Sequence, residues 1–363
     1  MKNRSFYLLL AGLVLVSAWS CQTVEKETVP EVRNVILLIG DGMGTSQIYA
    51  GIVENETPLF MERFPVAGFQ KTYSFSDYIT DSAASGTALA TGRKTRNGMI
   101  GMDPDSVPVK SILELAEDHG LATGLVATAA ITHATPASFI AHQVNRNMYE
   151  EIATDFLATE IDVFIGGGKN HFARRKDSLN LLPELEARGY FLAGSLEEAG
   201  ELESGKLACL LAPGHLPPWS EGRGDMLPRA TEIALNLLSR NEKGFFIMIE
   251  GSQIDWGGHA NDLEYVVNET LDFDRAVGKA FSFAEKDGHT LVIVTADHES
   301  GGLTHVGGSI AEHRVEGHFS SGDHTGVMVP VLAYGPGAEE FGGIYNNTDV
   351  FVKIRNLLHL GQE

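Results

Sequence analysis

NVILLIGDGMG, residues 34–44, decides how the fold is read. Val35 to Ile39 are apolar without alternation, and Asp41 then sits between Gly40 and Gly42. A strand with one wet face alternates polar and apolar side chains; an unbroken apolar run fits a strand covered on both faces. The same layout recurs twice. GFFIMI, 244–249, runs into Glu250-Gly251-Ser252-Gln253-Ile254-Asp255, and LVIVT, 291–295, runs into Ala296-Asp297-His298-Glu299. Thr123–Thr128, Ile161–Ile165 and Val327–Tyr334 also read as strands. Helical spacing marks Val109–His119, Met148–Ala158, Pro228–Ser239, Leu263–Glu285 and Thr348–Leu358. Strands alternating with helices predict an α/β three-layer sandwich, a central mostly parallel sheet with helices on both faces. No repeat and no linker interrupts residues 34–358, so one domain with insertions is expected, reaching to residue 363.

Composition bounds the function. The 363 residues are 43% hydrophobic and 21% charged, enough to bury a sizeable core. Acidic residues outnumber basic ones 48 to 27, a net charge of −21. A surface so acidic argues against a nucleic-acid reader, because phosphate backbones are bound by net positive patches. Two cysteines exclude a disulfide framework. The basic start Lys2 and Arg4, followed by an apolar run from Phe6 to Trp19, fits a secretory signal over 1–20 and is too short to span a bilayer. Ala18-Trp19-Ser20-Cys21 resembles a loose bacterial lipoprotein box that lacks the usual Leu, so a lipid on Cys21 is expected, with 21–33 as a tether. The expectation is a chain secreted across the inner membrane and periplasmic, anchored at Cys21, with simple cleavage nearby or an uncleaved anchor as the alternatives. Cys209, inside the apolar run Leu207–Leu211, reads as a buried core thiol.

One acid after a strand is commonly a helix cap. Three strands ending in acids, two of them closely followed by histidines, are harder to explain as caps. Seven of the thirteen histidines fall between His259 and His324. Asp255 and His259 are four apart and would share a helix face. Asp297 and His298 are neighbours at a strand end, and His324 lies in SGDHTG before the last strand. Imidazole with carboxylate suits zinc with an open position for substrate, whereas Asp41, Thr135 and Glu250 offer oxygen only and suit magnesium. His142, His171 and His215 read as ordinary core or surface residues.

TDSAASGTA, 80–88, is a run of small residues that lets the backbone approach a ligand closely, with a helix beginning near Asp81. A serine hydroxyl there becomes a nucleophile only if something favours its ionised form, as zinc does. Spacing leaves Ser82 ahead of Ser85, and a capped, closely packed helix is the competing reading. Arg146 offers a planar fork matched to two phosphate oxygens. Gly166-Gly167-Gly168-Lys169 lacks the Lys-Ser/Thr of a nucleotide loop and reads as a turn after a strand.

Five motifs in order, IGDGMG, TDSAASGTA, THATPASFIAHQVNR, IEGSQIDWGGH with VTADH, and SGDHTG, resemble the bacterial alkaline phosphatase family over nearly all of 34–358. The resemblance implies hydrolysis of phosphate monoesters through a phosphoserine on Ser82, two zinc ions, one magnesium ion and a homodimer. It implies Asp255, His259 and His324 at the first zinc, and Asp41, Asp297 and His298 at the second. Asp41 would bridge to the magnesium, whose set Thr135 and Glu250 complete. Arg146 would clamp phosphate, positioned by Asp81. Two positions depart from the enterobacterial form: His133 stands where that form has Asp, and Trp256 where it has Lys. Both are expected beside the third metal, with weaker magnesium retention as the consequence. Only 25 residues separate His298 from His324, so the crown-like insertion must be short. A phosphodiesterase of the same superfamily, or a non-catalytic metal- or phosphate-binding lipoprotein, are the alternatives; a sulfatase would need a Cys/Ser-x-Pro-x-Arg site, which 82–86 lacks.

Overall fold

The apolar run at 34–40 is the middle of a ten-stranded sheet. The computed structural model describes residues 31–361; the expected signal, the Cys21 anchor and most of the tether lie outside them. The sheet strands are β1 (Asn34–Gly40), β2 (Val66–Lys71), β3 (Ala122–Ala130), β4 (Val163–Gly167), β5 (Tyr190–Ala193), β6 (Lys206–Leu210), β7 (Phe245–Gly251), β8 (Thr290–Thr295), β13 (Val329–Tyr334) and β14 (Gly343–Asn346). Between β8 and β13 lie the short strands β9 (Glu299–Ser300), β10 (Leu303–Ser309), β11 (Arg314–Phe319) and β12 (His324–Thr325). The order across the sheet is β14-β2-β13-β8-β1-β7-β3-β4-β6-β5. Every pairing is parallel except those of β13 with β2 and β8.

Continuous apolarity has the expected cause. All seven residues of β1 are buried; Val35, Leu37 and Ile39 enter one core, and Ile36 and Leu38 the other. Successive strand side chains point to opposite faces, so a doubly covered strand needs apolar residues at both parities. Helices Ser82–Thr91, Ile112–Asp118 and Thr348–Leu357 pack into the first core, and Met226–Leu238 and the 25-residue Leu263–Asp287 into the second. This is the three-layer α/β sandwich. The six expected strands are all present, with β13 starting at Val329 rather than Val327. The helix expected from Val109 starts at Ile112, because Ser111 and Glu114 form a reciprocal capping box there. Cys209 lies in β6, fully buried, and burial pushes its thiol up to about 12, as suits a core residue.

Strand direction sets where chemistry can gather. In register, Ile39 of β1 pairs with Glu250 of β7 and with Thr295 of β8, so these strands end level. Because β13 runs antiparallel to its neighbour β8, it begins at the edge where β8 ends, which delivers the residues just before it, His324 among them, to that edge. The β10–β11 hairpin is the short insertion; His305 and His313 bond the carbonyls of Ser46 and Val53, tying it to the helix Thr45–Glu54. Among the described residues, no helix is long and apolar enough to cross a membrane.

Candidate active site

Asp41 follows β1, Glu250 ends β7, Asp297 and His298 follow β8, and His133 and Thr135 follow β3. Ligands in such sheets bind beyond the carboxyl ends of the strands. The turn after β1 needs glycine: Gly42 has φ +74°, and a Cβ there would fall 2.7 Å from Cα of Asp255. Its N–H donates to Oδ1 of Asp297 at 3.2 Å, locking two of the strand ends together.

Three groups of side chains each bring ligand atoms within 4.8 Å of one another: Asp255 with His259 and His324, Asp41 with Asp297 and His298, and Asp41 with His133 and Glu250. In the first, Asp255 and His259 face together from the helix Ile254–Ala260, as their four-residue spacing implies. Nε2 of His259 and of His324 lie 3.3 and 3.4 Å from Oδ1 of Asp255. Both histidines donate Nδ1–H to a backbone carbonyl, His259 to Gly322 at 2.9 Å and His324 to Thr80 at 2.9 Å, which leaves Nε2 of each ring facing inward. In the second group Nε2 of His298 lies 3.3 Å from Asp41 and 3.2 Å from Asp297. The rings of His298 and His324 stack at 3.6 Å, so the two groups adjoin.

The donor set fits cations on physical grounds. Both carboxylate oxygens of Asp41, Oε1 of Glu250 and Oδ2 of Asp297 are buried without a hydrogen-bond partner. Burial, then mutual repulsion with Asp297, Asp255 and Glu250, raises Asp41 well above the usual carboxylate range. Burial likewise pushes Glu250 up to about 7 and Asp297 up to about 6. Burial opposes ionisation of Asp255 too, but its bonds with His259 and His324 hold it well below the ordinary value. The bond to Asp255 raises His259 to about 9. Burial drives His298 well down, and burial followed by the Arg146 charge takes His133 to about 3. Neutral imidazoles and crowded, unpartnered carboxylates relieve their desolvation by coordinating cations.

The hydroxyl stands beside this cluster. Ser82 opens the buried helix Ser82–Thr91, and its Oγ lies 3.2 Å from Nε2 of His298. Asp81 caps that helix, accepting from the N–H of Ala84 at 2.9 Å. Its other oxygen takes Nη1 of Arg146 at 3.0 Å. Ser85 is turned away: its hydroxyl donates to the Asp297 carbonyl at 2.6 Å. Of the two serines, Ser82 is therefore the one whose hydroxyl faces the ligand groups.

All the site residues expected from sequence meet here, with one shift of position. His133, expected outside the third ligand set, offers a ring nitrogen to it alongside Asp41 and Glu250, while Thr135 lies against Glu250. Trp256 packs edge-on against His133 at 6.3 Å. His215, read as an ordinary residue, packs edge-on against both, at 5.4 Å from His133 and 5.0 Å from Trp256. No spacing rule ties residue 215 to 133; the contact comes from the loop after β6 meeting the loop after β3. Gly168 begins a short helix after β4, the turn anticipated there.

An arrangement of this kind belongs to metal-dependent hydrolases. Residues 32–317 match the alkaline phosphatase family. Alkaline phosphatase 4 of Bacillus subtilis is 36% identical, the match covering 94% of this chain and 92% of that protein. The solved alkaline phosphatase of the Antarctic bacterium TAB5 is 43% identical with a TM-score of 0.88, over 92% of this chain and 100% of that one. A histidine-to-aspartate variant of the TAB5 enzyme, solved with Mg bound in its M3 site, is 42% identical with a TM-score of 0.87 over the same shares. The chain belongs to the alkaline phosphatase family.

Proposed function

We propose that the protein hydrolyses phosphate monoesters through a phosphoserine on Ser82, with two zinc ions and one magnesium ion. The observation that carries this reading is the buried Ser82 hydroxyl, 3.2 Å from His298, flanked by three ligand groups. Asp255, His259 and His324 would hold the first zinc; Asp41, Asp297 and His298 the second; and Asp41, Glu250 and Thr135, with His133, the magnesium. When bound, zinc supplies Lewis acidity that favours an ionised nucleophile and a departing oxyanion.

Ser82 Oγ forms a bond to phosphorus as the ester P–O bond breaks, and the alcohol leaves carrying a proton. Water then forms the next bond to phosphorus, the Ser82 O–P bond breaks, and inorganic phosphate leaves with Ser82 restored. Arg146 presents its guanidinium fork to two phosphoryl oxygens, and Asp81 holds that fork in place. Assay of p-nitrophenyl phosphate against bis-p-nitrophenyl phosphate tests the reading. Strong preference for the monoester is expected; preference for the diester would move the protein to the phosphodiesterases.

Magnesium is the ion whose site departs from the oxygen-only pattern. His133 places nitrogen where a hard cation and its hydration shell favour carboxylate. Titrating Mg2+ into chelated, zinc-restored enzyme should raise activity, and His133→Asp should reach full activity at lower Mg2+. The TAB5 variant with Mg in its M3 site supports the direction of that change. A flat response in both proteins would remove His133 from the magnesium set.

A homodimer anchored in the periplasm by a lipid on Cys21 completes the proposal. An apolar depression of about 270 Å3, with Tyr49 and Phe69 exposed at its rim, supports pairing between copies.

A further inference from the structure

The geometry points to a subsite for the alcohol half of the ester, a cleft beside Ser82 in which Tyr78 supplies a stacking face for a flat, uncharged ring such as a nucleoside base. This rests on the monoesterase reading and deepens it.

The cleft holds about 630 Å3 and is walled by Tyr78, Ile79, Asp81, Asn97, Asp323 and His324, among others. Two of these belong to the site. Asp81 holds Arg146, and His324 is part of the first ligand group. Displacement at phosphorus is in line, so the departing oxygen lies opposite Ser82. The cleft is lined both by Asp81, which precedes Ser82 in the chain, and by His324 of the first ligand group, so it opens on the reacting centre and offers room for the group attached to that oxygen.

The wall is fixed at its base and open at its rim. The Thr80 carbonyl accepts from Nδ1 of His324 at 2.9 Å, and Asn97 Nδ2 donates to the Ile79 carbonyl at 3.0 Å. The backbone of 79–81 is therefore tied to the site. Tyr78, one residue further out, is 77% exposed. Its ring lies against Gly326, where a Cβ would fall 2.4 Å from Cε1, so the bare backbone there makes room for the ring while most of it stays open to solvent. Ile79 and Phe75 are exposed on the same segment. An exposed apolar rim at the mouth of a charged site marks a contact surface rather than a packing fault. Asp77 and Asp323 in the lining disfavour a leaving group that carries negative charge of its own.

The test compares two dianionic alkyl monoesters, adenosine 5′-monophosphate and glycerol 1-phosphate, with the metal-loaded enzyme. Tyr78→Ala should lower kcat/KM for the nucleotide by about fivefold or more, as loss of a base–aromatic stack does. Glycerol phosphate should change by less than about twofold, and Tyr78→Phe should restore the preference. Affinity for an adenosine 5′-phosphonate, read by titration calorimetry, should fall by the same factor in Tyr78→Ala. An equal loss on both substrates would mean that Tyr78 only supports the loop carrying His324, and would overturn the proposal, as would no loss on either. Failure of the unsubstituted enzyme to hydrolyse either ester would instead overturn the monoesterase reading and the subsite with it.

Discussion

Ser82→Ala should lower kcat for phosphate monoesters by about 10³-fold or more while zinc remains bound. The nearby Ser85 cannot take over. Its hydroxyl donates to the Asp297 carbonyl and accepts from Asn347 at 3.0 Å, so its oxygen is already engaged. Each ligand group keeps three His, Asp or Glu donors without Ser82, so metal content by elemental analysis should match the unsubstituted protein. Unchanged turnover would place the nucleophile elsewhere. Loss of both turnover and zinc would make Ser82 a structural support for the metals instead.

The second large effect belongs to Asp41. It is the residue common to two ligand groups, and both its oxygens are buried without a hydrogen-bond partner. Asp41→Asn keeps the shape and removes the charge. It should strip metal from two groups together and lower kcat by more than about 10²-fold. Asp255→Asn is the matched control, because Asp255 serves one group, with His259 and His324. Elemental analysis should find about two ions lost in the first variant and one in the second. Equal losses would deny Asp41 its bridging position.

How much of this was legible beforehand depended on whether a signal was local. β1, β7 and β8 are buried on both faces, so their unbroken apolar runs could be read directly. The edge strands could not. β2 alternates in burial, while β5 and β14 are four residues each, too short to separate from loops by pattern. Asp255 and His259 were legible because one helical turn brings them together. His324 needed more: its place depends on antiparallel β13 starting at the edge where β8 ends. His133 and His215 show the limit. His133 was legible near the third site only through its motif and His215 not at all, and their edge-on contact with Trp256 forms only when loops from different strands close over the third ligand group. Spacing within a motif says which residues share a face; it does not say which nitrogen reaches a cation. That question was decided by hydrogen bonds, such as the Thr80 carbonyl taking Nδ1 of His324.

Anomalous diffraction at the zinc edge, on crystals of the purified metal-loaded protein, tests the central claim most directly. Two zinc peaks are expected, one bonded to Asp255, His259 and His324, the other to Asp41, Asp297 and His298, with the Ser82 hydroxyl beside the second. Zinc found away from these residues, or no bound zinc in active protein, would contradict it.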